Sequence, residues 1–480
     1  MDERARPALE ALMDLESFLA DAAEARLGFG EVETTSERKG RELLRVALQG
    51  HLDGRGSGDV GAAIVVDGPS GALRLSYKRT HKRRLLSIFG EVKIDRVGYG
   101  APGAVSVHPL DAELRLPGRS YSYEVCRRLV RLAVLGPFGE AVDLLAEAPG
   151  VKIAKRAAEQ IVVEAAVDFD SFYASREGVH PGEGEILVGS IDGKGVPMVK
   201  PAPAVKVVRR KRGEKPNKKR MATVGTVYSQ APRVRTPQEV VDSLFASSGE
   251  ARPHSQHERR ANRRVWASLE AGKDAFICDV KAEMCRRDPD RRHPWVIVTD
   301  GERALQRRVR SSFTDVTLVL DVFHALEKLW PVAYVFHAEG SPEAEAFVKA
   351  RALRLLSGGV SQVVKGLRQM ATKHRLRGEK AKTVRGTADY YYANRAHMAY
   401  DRYLSAGWPI GSGSVEAACK CLVRERMERS GMRWCPTGAE AMLKLRAVHL
   451  SGDLEEYWSW YIQQDQQRLY PQGDWRLVRE

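Results

Sequence analysis

Three short apolar runs in this chain each end on an aspartate. The first reads Glu185-Ile-Leu-Val-Gly-Ser-Ile-Asp192-Gly, the second Pro294-Trp-Val-Ile-Val-Thr-Asp300-Gly, and the third Val316-Thr-Leu-Val-Leu-Asp321. Continuous apolar runs of this length read as strands buried on both faces, which need helices to cover them. Glycine after Asp192 and Asp300 lets the chain turn sharply, and helical patterns follow Asp300 and Asp321. Ligands of open α/β sheets bind at the carboxyl edge of the strands. Asp192 and Asp300 meet at that edge if their strands are sheet neighbours. Taken singly, either aspartate could instead cap the helix or turn that follows it.

A third carboxylate lies in the stretch from Trp408 to Trp434, W-P-I-G-S-G-S-V-E-A-A-C-K-C-L-V-R-E-R-M-E-R-S-G-M-R-W. Pro409, Gly411 and Gly413 mark a loop, and Ser412 and Ser414 are N-cap candidates for the helix after it. Val415, Ala418, Cys419 and Leu422 recur at i, i+3, i+4, i+7 as a core-facing stripe. Glu416 sits beside that stripe in the first turn, with Lys420 and Arg424 at four-residue steps. One carboxylate and two cations on a shared face suit a metal ion and a phosphate backbone. The plainer alternative is an acidic residue serving the helix dipole and an ordinary i,i+4 ion pair.

The balance of charge favours a polyanionic partner. Lys plus Arg number 77 against 62 for Asp plus Glu, a net charge of +15 over 480 residues, and nucleic acid is the commonest partner for such an excess. A membrane is the rival, but no run of about 18 apolar residues exists to span one. The start, Met1-Asp-Glu-Arg-Ala-Arg, lacks the apolar core of a signal peptide. A cytoplasmic, nucleoid-associated protein is therefore expected. The six cysteines form no C-x2-C pair and read as reduced packing residues.

Residues 1–50 show helical periodicity, and 60–99 turn to short β-branched runs with the basic run Lys78 to Arg84 between them. That run is either a solvated edge or a DNA contact. Residues 120–170 read as three helices broken at Gly136-Pro137 and Pro149-Gly150. Lys152, Lys155 and Arg156 lie at the front of the third, compatible with a helix-turn-helix or with plain three-helix packing. Residues 205–220 carry nine Lys/Arg and one Glu, including Arg209, Arg210, Lys211 and Arg212. They read as a loop suited to phosphates, or as a solvated tract. A strand resumes over Met221 to Tyr228, a charged helix is expected over 256–287, and 322–407 are almost wholly helical in pattern. The tail from Gln463 looks loose.

A carboxylate cluster fits Mg2+ or Mn2+, because such ions take few protein carboxylates and complete their shell with water and substrate phosphates. Two ions about 3.5–4 Å apart serve phosphoryl displacement. No P-loop pattern is present. Metal-assisted attack on a phosphodiester fits these residues best.

The ordered motifs I-D-G, V-T-D-G-E-R-A-L, D-x-F-H-A-L, P-I-G-S-G-S-V-E and R-M-E-R-S-G-M-R-W resemble those of a bacterial insertion-sequence transposase of the DDE type, ISKra group. The resemblance is specific over 186–196, 295–329 and 408–447 and weaker over about 85–180. It implies an α+β and α/β multidomain chain with an RNase H-like mixed-sheet catalytic core. By the same resemblance, 1–118 is an N-terminal helix plus β-rich region and 119–180 a helical DNA-binding region. The core occupies 181–321 and 408–447, the helical insertion 322–407, and a C-terminal helical tail 448–480. Asp192, Asp300 and Glu416 are implied as the catalytic and metal-binding triad. Asp321 and His324 are implied as supports or nearby DNA contacts, with Asp321 as a metal ligand left open. Gly98-Tyr-Gly-Ala-Pro-Gly-Ala-Val contains no cysteine, where many relatives carry a zinc ribbon.

The implied reaction is hydrolysis at transposon ends followed by transfer of the freed 3′-OH into target DNA. It would use two metal ions, double-stranded DNA, and a homo-oligomer bridging two ends. Lys420, Arg424 and Arg426 are expected to hold the scissile backbone. Two rival classes share these features: a catalytically inactive domesticated transposase acting as a DNA-binding protein, and an RNase H-like nuclease without strand transfer.

Overall fold

The computed structural model describes residues 3–68, 71–147, 150–199, 219–246, 261–471 and 476–477. Arg209, Arg210, Lys211 and Arg212 lie outside the described residues, as does most of the 205–220 tract. The protein is mixed α+β and divides into two compact units, Met1–Phe172 with Leu454–Glu480, and Tyr173–Asp453. No helix among the described residues is long and apolar enough to cross a membrane.

The first unit opens with α1 (Arg6–Glu24) and α2 (Phe29–Gly54), followed by a hairpin of β1 (Ile64–Gly68) and β2 (Gly71–Leu75). Next come β3 (Tyr77–Ser87) and β4 (Gly90–Gly100), an antiparallel two-stranded ribbon. The basic run Lys78 to Arg84, expected between strands, is itself part of β3. Val92 and Ile94 of β4 are buried in one core cluster and Val97 and Tyr99 in a second, and the ribbon's cations face cross-strand acids, with Lys82 3.9 Å from Asp95 and Arg84 3.8 Å from Glu91.

After α3 (Pro109–Glu113) the expected trio appears as α4 (Tyr123–Leu135), α5 (Phe138–Glu147) and α6 (Lys155–Ala165), with α7 (Phe169–Ser175) beyond. Ser122 caps α4 by accepting from the Val125 N–H at 3.2 Å. Val125, Leu129, Val130 and Val134 bury its inner face. The third helix starts at Lys155 rather than Lys152, because Val151 and Ile153 are both buried ahead of it. The expected loose tail is a correction: the helix Leu454–Leu469 runs well past Gln463. Its Tyr457 hydroxyl donates to Ala165 O at 2.6 Å, and Arg468 pairs with Asp168 at 2.7 Å. Arg476–Leu477 pairs with β1.

The second unit is built on a five-stranded mixed sheet. Its elements in chain order are β5 (Ile186–Val196), β6 (Arg220–Gln230), α8 (Pro237–Leu244), β7 (Ala261–Ser268), α9 (Lys273–Arg287), β8 (Trp295–Thr299), α10 (Arg303–Ser312) and β9 (Thr317–Leu320). Across the sheet the order is β7-β6-β5-β8-β9. The β5, β6 and β7 neighbours are antiparallel, whereas β5–β8 and β8–β9 are parallel. The charged helix expected over 256–287 is corrected to β7 followed by α9 among the described residues. Val265, Trp266 and Ala267 are buried as the segment pairs with β6.

All five residues of β8 are buried, as a strand covered on both faces must be. On one face α9 packs against β5 and β6. The approach needs glycine, since a Cβ on Gly225 would come within 2.7 Å of the Phe276 ring. Overpacking of that kind costs about 1–3 kcal/mol.

Residues beyond β9 are helical, as expected: α11 (Val322–Glu327), α12 (Leu329–Phe336), α13 (Pro342–Leu356), α14 (Val360–Lys373), α15 (Gly378–Asn394) and α16 (Tyr400–Ser405). Their buried side chains, among them Val348, Leu355, Val363 and Tyr391, join Val188, Val296, Val298 and Val319 of the sheet in one continuous core. The chain then returns to the sheet as α17 (Gly413–Ala418), a π-helical segment Cys419–Arg424, α18 (Glu425–Met427) and α19 (Pro436–Ser451).

Candidate functional site

The parallel strands bring the three aspartates to one edge. The β5–β8 ladder runs from Leu187↔Trp295 to Ser190↔Val298, so Asp192 and Asp300 each lie two residues beyond the same rung. Neighbouring strands are about 4.8 Å apart. Thr299 pairs with Leu320 across β8–β9, and the Asp321 N–H donates to Thr299 O at 2.8 Å. One expectation needs correction: β5 does not end at Asp192 but continues to Val196 along β6. The strand end there is one-sided, because only its β8 neighbour stops.

Each carboxylate is held by the backbone beside it. Asp192 Oδ1 accepts from the Gly193 N–H at 2.6 Å, and Asp300 Oδ1 accepts from the Glu302 N–H at 2.9 Å. Gly301 has φ +89°, and a Cβ there would lie 2.4 Å from the Tyr390 hydroxyl, so only glycine fits. That hydroxyl donates to Asp300 O at 3.2 Å. Burial and then the charges of Asp300, Asp321 and Glu327 push its pKa up to about 12. Tyr390 therefore stays protonated.

Asp321 is fully buried and caps α11 through the Phe323 N–H at 2.6 Å. Its other oxygen, Oδ2, accepts from the Ser412 N–H at 2.9 Å and also meets the Ser412 hydroxyl. Ser412 occupies the expected N-cap of α17 without capping it. The hydroxyl lies 2.9 Å from Glu416 Oε1 instead. His324 Nδ1 lies 3.5 Å from Asp321 Oδ2, at the outer edge of hydrogen-bond reach. That contact is the main reason its pKa is raised to about 9, with burial opposing and Asp321, Glu327 and Asp300 charges assisting.

Asp321, His324 and Glu416 each offer a ligand atom, all within 4.8 Å of one another, and such a group could hold a metal ion. Of the expected triad only Glu416 belongs to this group; Asp192 lies within the adjoining strand β5 and Asp300 just beyond the end of β8. Carboxylate oxygens suit Mg2+ and Mn2+, whereas an imidazole suits later transition metals better. An ion bound through His324 must displace the proton that the surrounding carboxylates now favour.

The glutamate-bearing segment follows the expected stripe, with Val415, Ala418, Cys419 and Leu422 all buried. Its continuation does not. From Cys419 the turn is π-helical, and Lys420 lies 3.9 Å from Glu425, five residues on, rather than pairing with Glu416. Lys420 and Arg424 remain exposed. Arg426 is a correction. Expected against DNA, it is fully buried, 4.9 Å from the Trp434 ring centroid and 3.4 Å from the Met432 sulfur. The wider turn moves residues beyond it off the four-residue face used to place them.

Cys419, expected only to pack, donates its thiol to Asp192 Oδ2 at 3.4 Å. Burial and the Asp192 charge push the thiol pKa up, so it remains a donor. Trp434 ties the end of this stretch to the end of β5, donating to Pro197 O at 3.0 Å and accepting from the Val199 N–H at 2.9 Å. Ser412 and Cys419 are the site residues that motif reading missed. The i,i+4 spacing of Ser412 and Glu416 was the available signal. In the other unit, Lys152, Lys155 and Arg156 are all exposed at the front of α6.

No family model matches the chain, and no curated protein matches it. Fold and site define a mixed α+β protein with a carboxylate–histidine cluster at the edge of a five-stranded sheet.

Proposed function

We propose that this protein is a DDE-type DNA transposase, cutting phosphodiester bonds at the ends of a mobile element and joining them to target DNA. The observation that carries the reading is the close group of Asp321, His324 and Glu416, with Asp192 and Asp300 on the adjoining strands at the same edge of the sheet. The mixed sheet and the helical stretch between Asp321 and Glu416 favour an RNase H-like core with an insertion before its glutamate. The net charge of +15 favours a polyanionic substrate.

Asp192, Asp300 and Glu416 would hold Mg2+ or Mn2+, with Asp321 fixing Ser412 and Glu416 behind them. A bound divalent ion supplies polarisation of the attacking oxygen and stabilisation of the leaving one. The protein's own part is orientation. The Gly193 N–H and the Cys419 thiol fix Asp192 from two sides, the Glu302 N–H fixes Asp300, and Ser412 fixes Glu416. Exposed Lys420 and Arg424 would take the phosphates beside the cut.

The test uses full-length protein and labelled duplex containing the DNA that borders its gene. The expected products, in Mg2+ or Mn2+ but not in chelator, are a 3′-OH end at the element border and joined molecules with a second duplex. Cutting without joining would move the assignment to a nuclease. Sequence-selective binding with neither product would leave a DNA-binding protein only.

A further inference from the structure

The helical region carries a cationic face that the site does not use. From Ala346 to Gly378 the chain contains eight Lys/Arg and no Asp or Glu. Within this stretch α14 buries Val363, Val364 and Leu367 and turns Lys365, Arg368, Gln369, Thr372 and Lys373 to solvent. These residues and Tyr392 of α15 line an open cleft of about 690 Å³.

The cleft has an ordered rim. Tyr392 is 51% exposed, so its ring and hydroxyl face solvent. The Arg395 guanidinium lies 4.1 Å from the ring centroid and that of Arg368 lies 5.4 Å away. Arg368 also meets Asp389 at 2.8 Å, in an exposed pair. Guanidinium groups held over an aromatic ring lose less freedom on meeting a phosphate than free ones do. Lys365, Arg368 and Lys373 spread over about 12 Å of helix axis at 1.5 Å per residue. One DNA strand presents a phosphate every ~3.4 Å of duplex axis, so the three cations span about three to four phosphate steps.

We infer that the α14–α15 cleft is a second DNA-binding surface, holding the backbone of duplex DNA through Lys365, Arg368, Lys373 and Arg395, with Tyr392 positioning the two arginines. The inference rests on the transposase reading for its partner. It adds a contact surface separate from the carboxylate edge. The apolar side chains lining the cleft are Val364, itself buried in the core, and Tyr392, which leaves no exposed aliphatic patch for a lipid surface to engage. The acid-free stretch supplies the complementarity to a phosphate backbone.

The experiment measures affinity of the full chain for random-sequence duplex DNA across a salt series, in chelator. Replacing both Lys365 and Lys373 with alanine should lower the slope of log K against log salt by about 1.8, at ~0.9 per phosphate contact. Lys365→Arg with Lys373→Arg should restore the slope, and thermal midpoints should match wild type. Tyr392→Ala should weaken binding while leaving the fold intact. An unchanged slope in the alanine double variant overturns the cleft, whether or not the wild type cuts DNA. A slope loss seen on duplex RNA but not on DNA also overturns it. A slope loss on DNA in a protein that cuts nothing keeps the cleft and rejects the transposase reading.

Discussion

Ser412 gives Asp321 Oδ2 both its backbone N–H, at 2.9 Å, and its hydroxyl, and that hydroxyl also lies 2.9 Å from Glu416 Oε1. A hydroxyl carries one proton, so it cannot donate to both carboxylates at once. Two anions therefore converge on a single donor, and the remaining lone pairs are free for a cation. The serine acts as a strut that joins the sheet edge to the glutamate helix across 91 residues of chain.

Removing the strut should loosen metal binding before it damages chemistry. Ser412→Ala should raise the Mg2+ concentration for half-maximal cleavage by roughly 10–100-fold, the usual effect of losing a partner behind a metal ligand. Cleavage at saturating metal should fall much less. Equal loss at all metal concentrations would show that Ser412 serves the fold alone.

Neutralising the carboxylates separates metal binding from DNA binding. Asp192→Asn, Asp300→Asn and Glu416→Gln should bind duplex as well as wild type in chelator, yet lose end cleavage in Mg2+ by at least about a hundredfold. Glu425→Gln and Glu428→Gln are the controls and should keep activity. Their partners are Lys420 and Arg446 for the first and Lys219 for the second. Substantial cleavage by Glu416→Gln would hand its role to Asp321 and His324.

The site's strands were legible because strands buried on both faces are written as unbroken apolar runs; Trp295 to Thr299 is one, with every residue buried. The aspartates at their ends were legible for the same reason. β7 was not. Its segment carries Arg263 and Arg264, and it becomes a strand only because β6 offers an edge and Glu283 of α9 neutralises Arg264. The π-helical segment was invisible too, since Val415, Ala418 and Cys419 complete most of the stripe before the turn widens and Leu422 is buried within the widened turn all the same. Asp321 and Ser412 meet through tertiary structure, which local periodicity does not encode.

The buried position of Arg426 makes a sharp contrast with its neighbours. Arg426→Ala should cost about 2–5 kcal/mol, as truncating a large core side chain does, and leave the salt dependence of DNA binding unchanged. Lys420→Ala and Arg424→Ala should do the reverse, each lowering the slope by about 0.9 with little change in stability. Paired urea melts and salt titrations read both. A lowered slope with unchanged stability in Arg426→Ala would return that residue to the DNA surface.

Glu283 supplies a pH-dependent contribution to the second unit's stability. Burial alone would raise its pKa, but Arg264 and Arg287, with a hydrogen bond from Arg286, override that and hold it at about 2. Arg264 Nη1 lies 2.5 Å from Oε2, and Arg287 Nε 2.7 Å from Oε1. Because the folded value lies below the unfolded glutamate value of about 4.3, the carboxylate binds protons less readily when folded. Its contribution is therefore complete above about pH 4.3 and is lost as pH falls toward 2. The difference corresponds to about 3 kcal/mol. At neutral pH Glu283→Gln should destabilise the protein by about 3–5 kcal/mol, since it leaves buried guanidinium charge uncompensated. The measurement is the urea midpoint at a series of pH values for both proteins. The gap between them should close on acidification from about pH 4.3. A gap that stays constant down to pH 2.5 or so would mean that packing, and not the charge on Glu283, carries the difference.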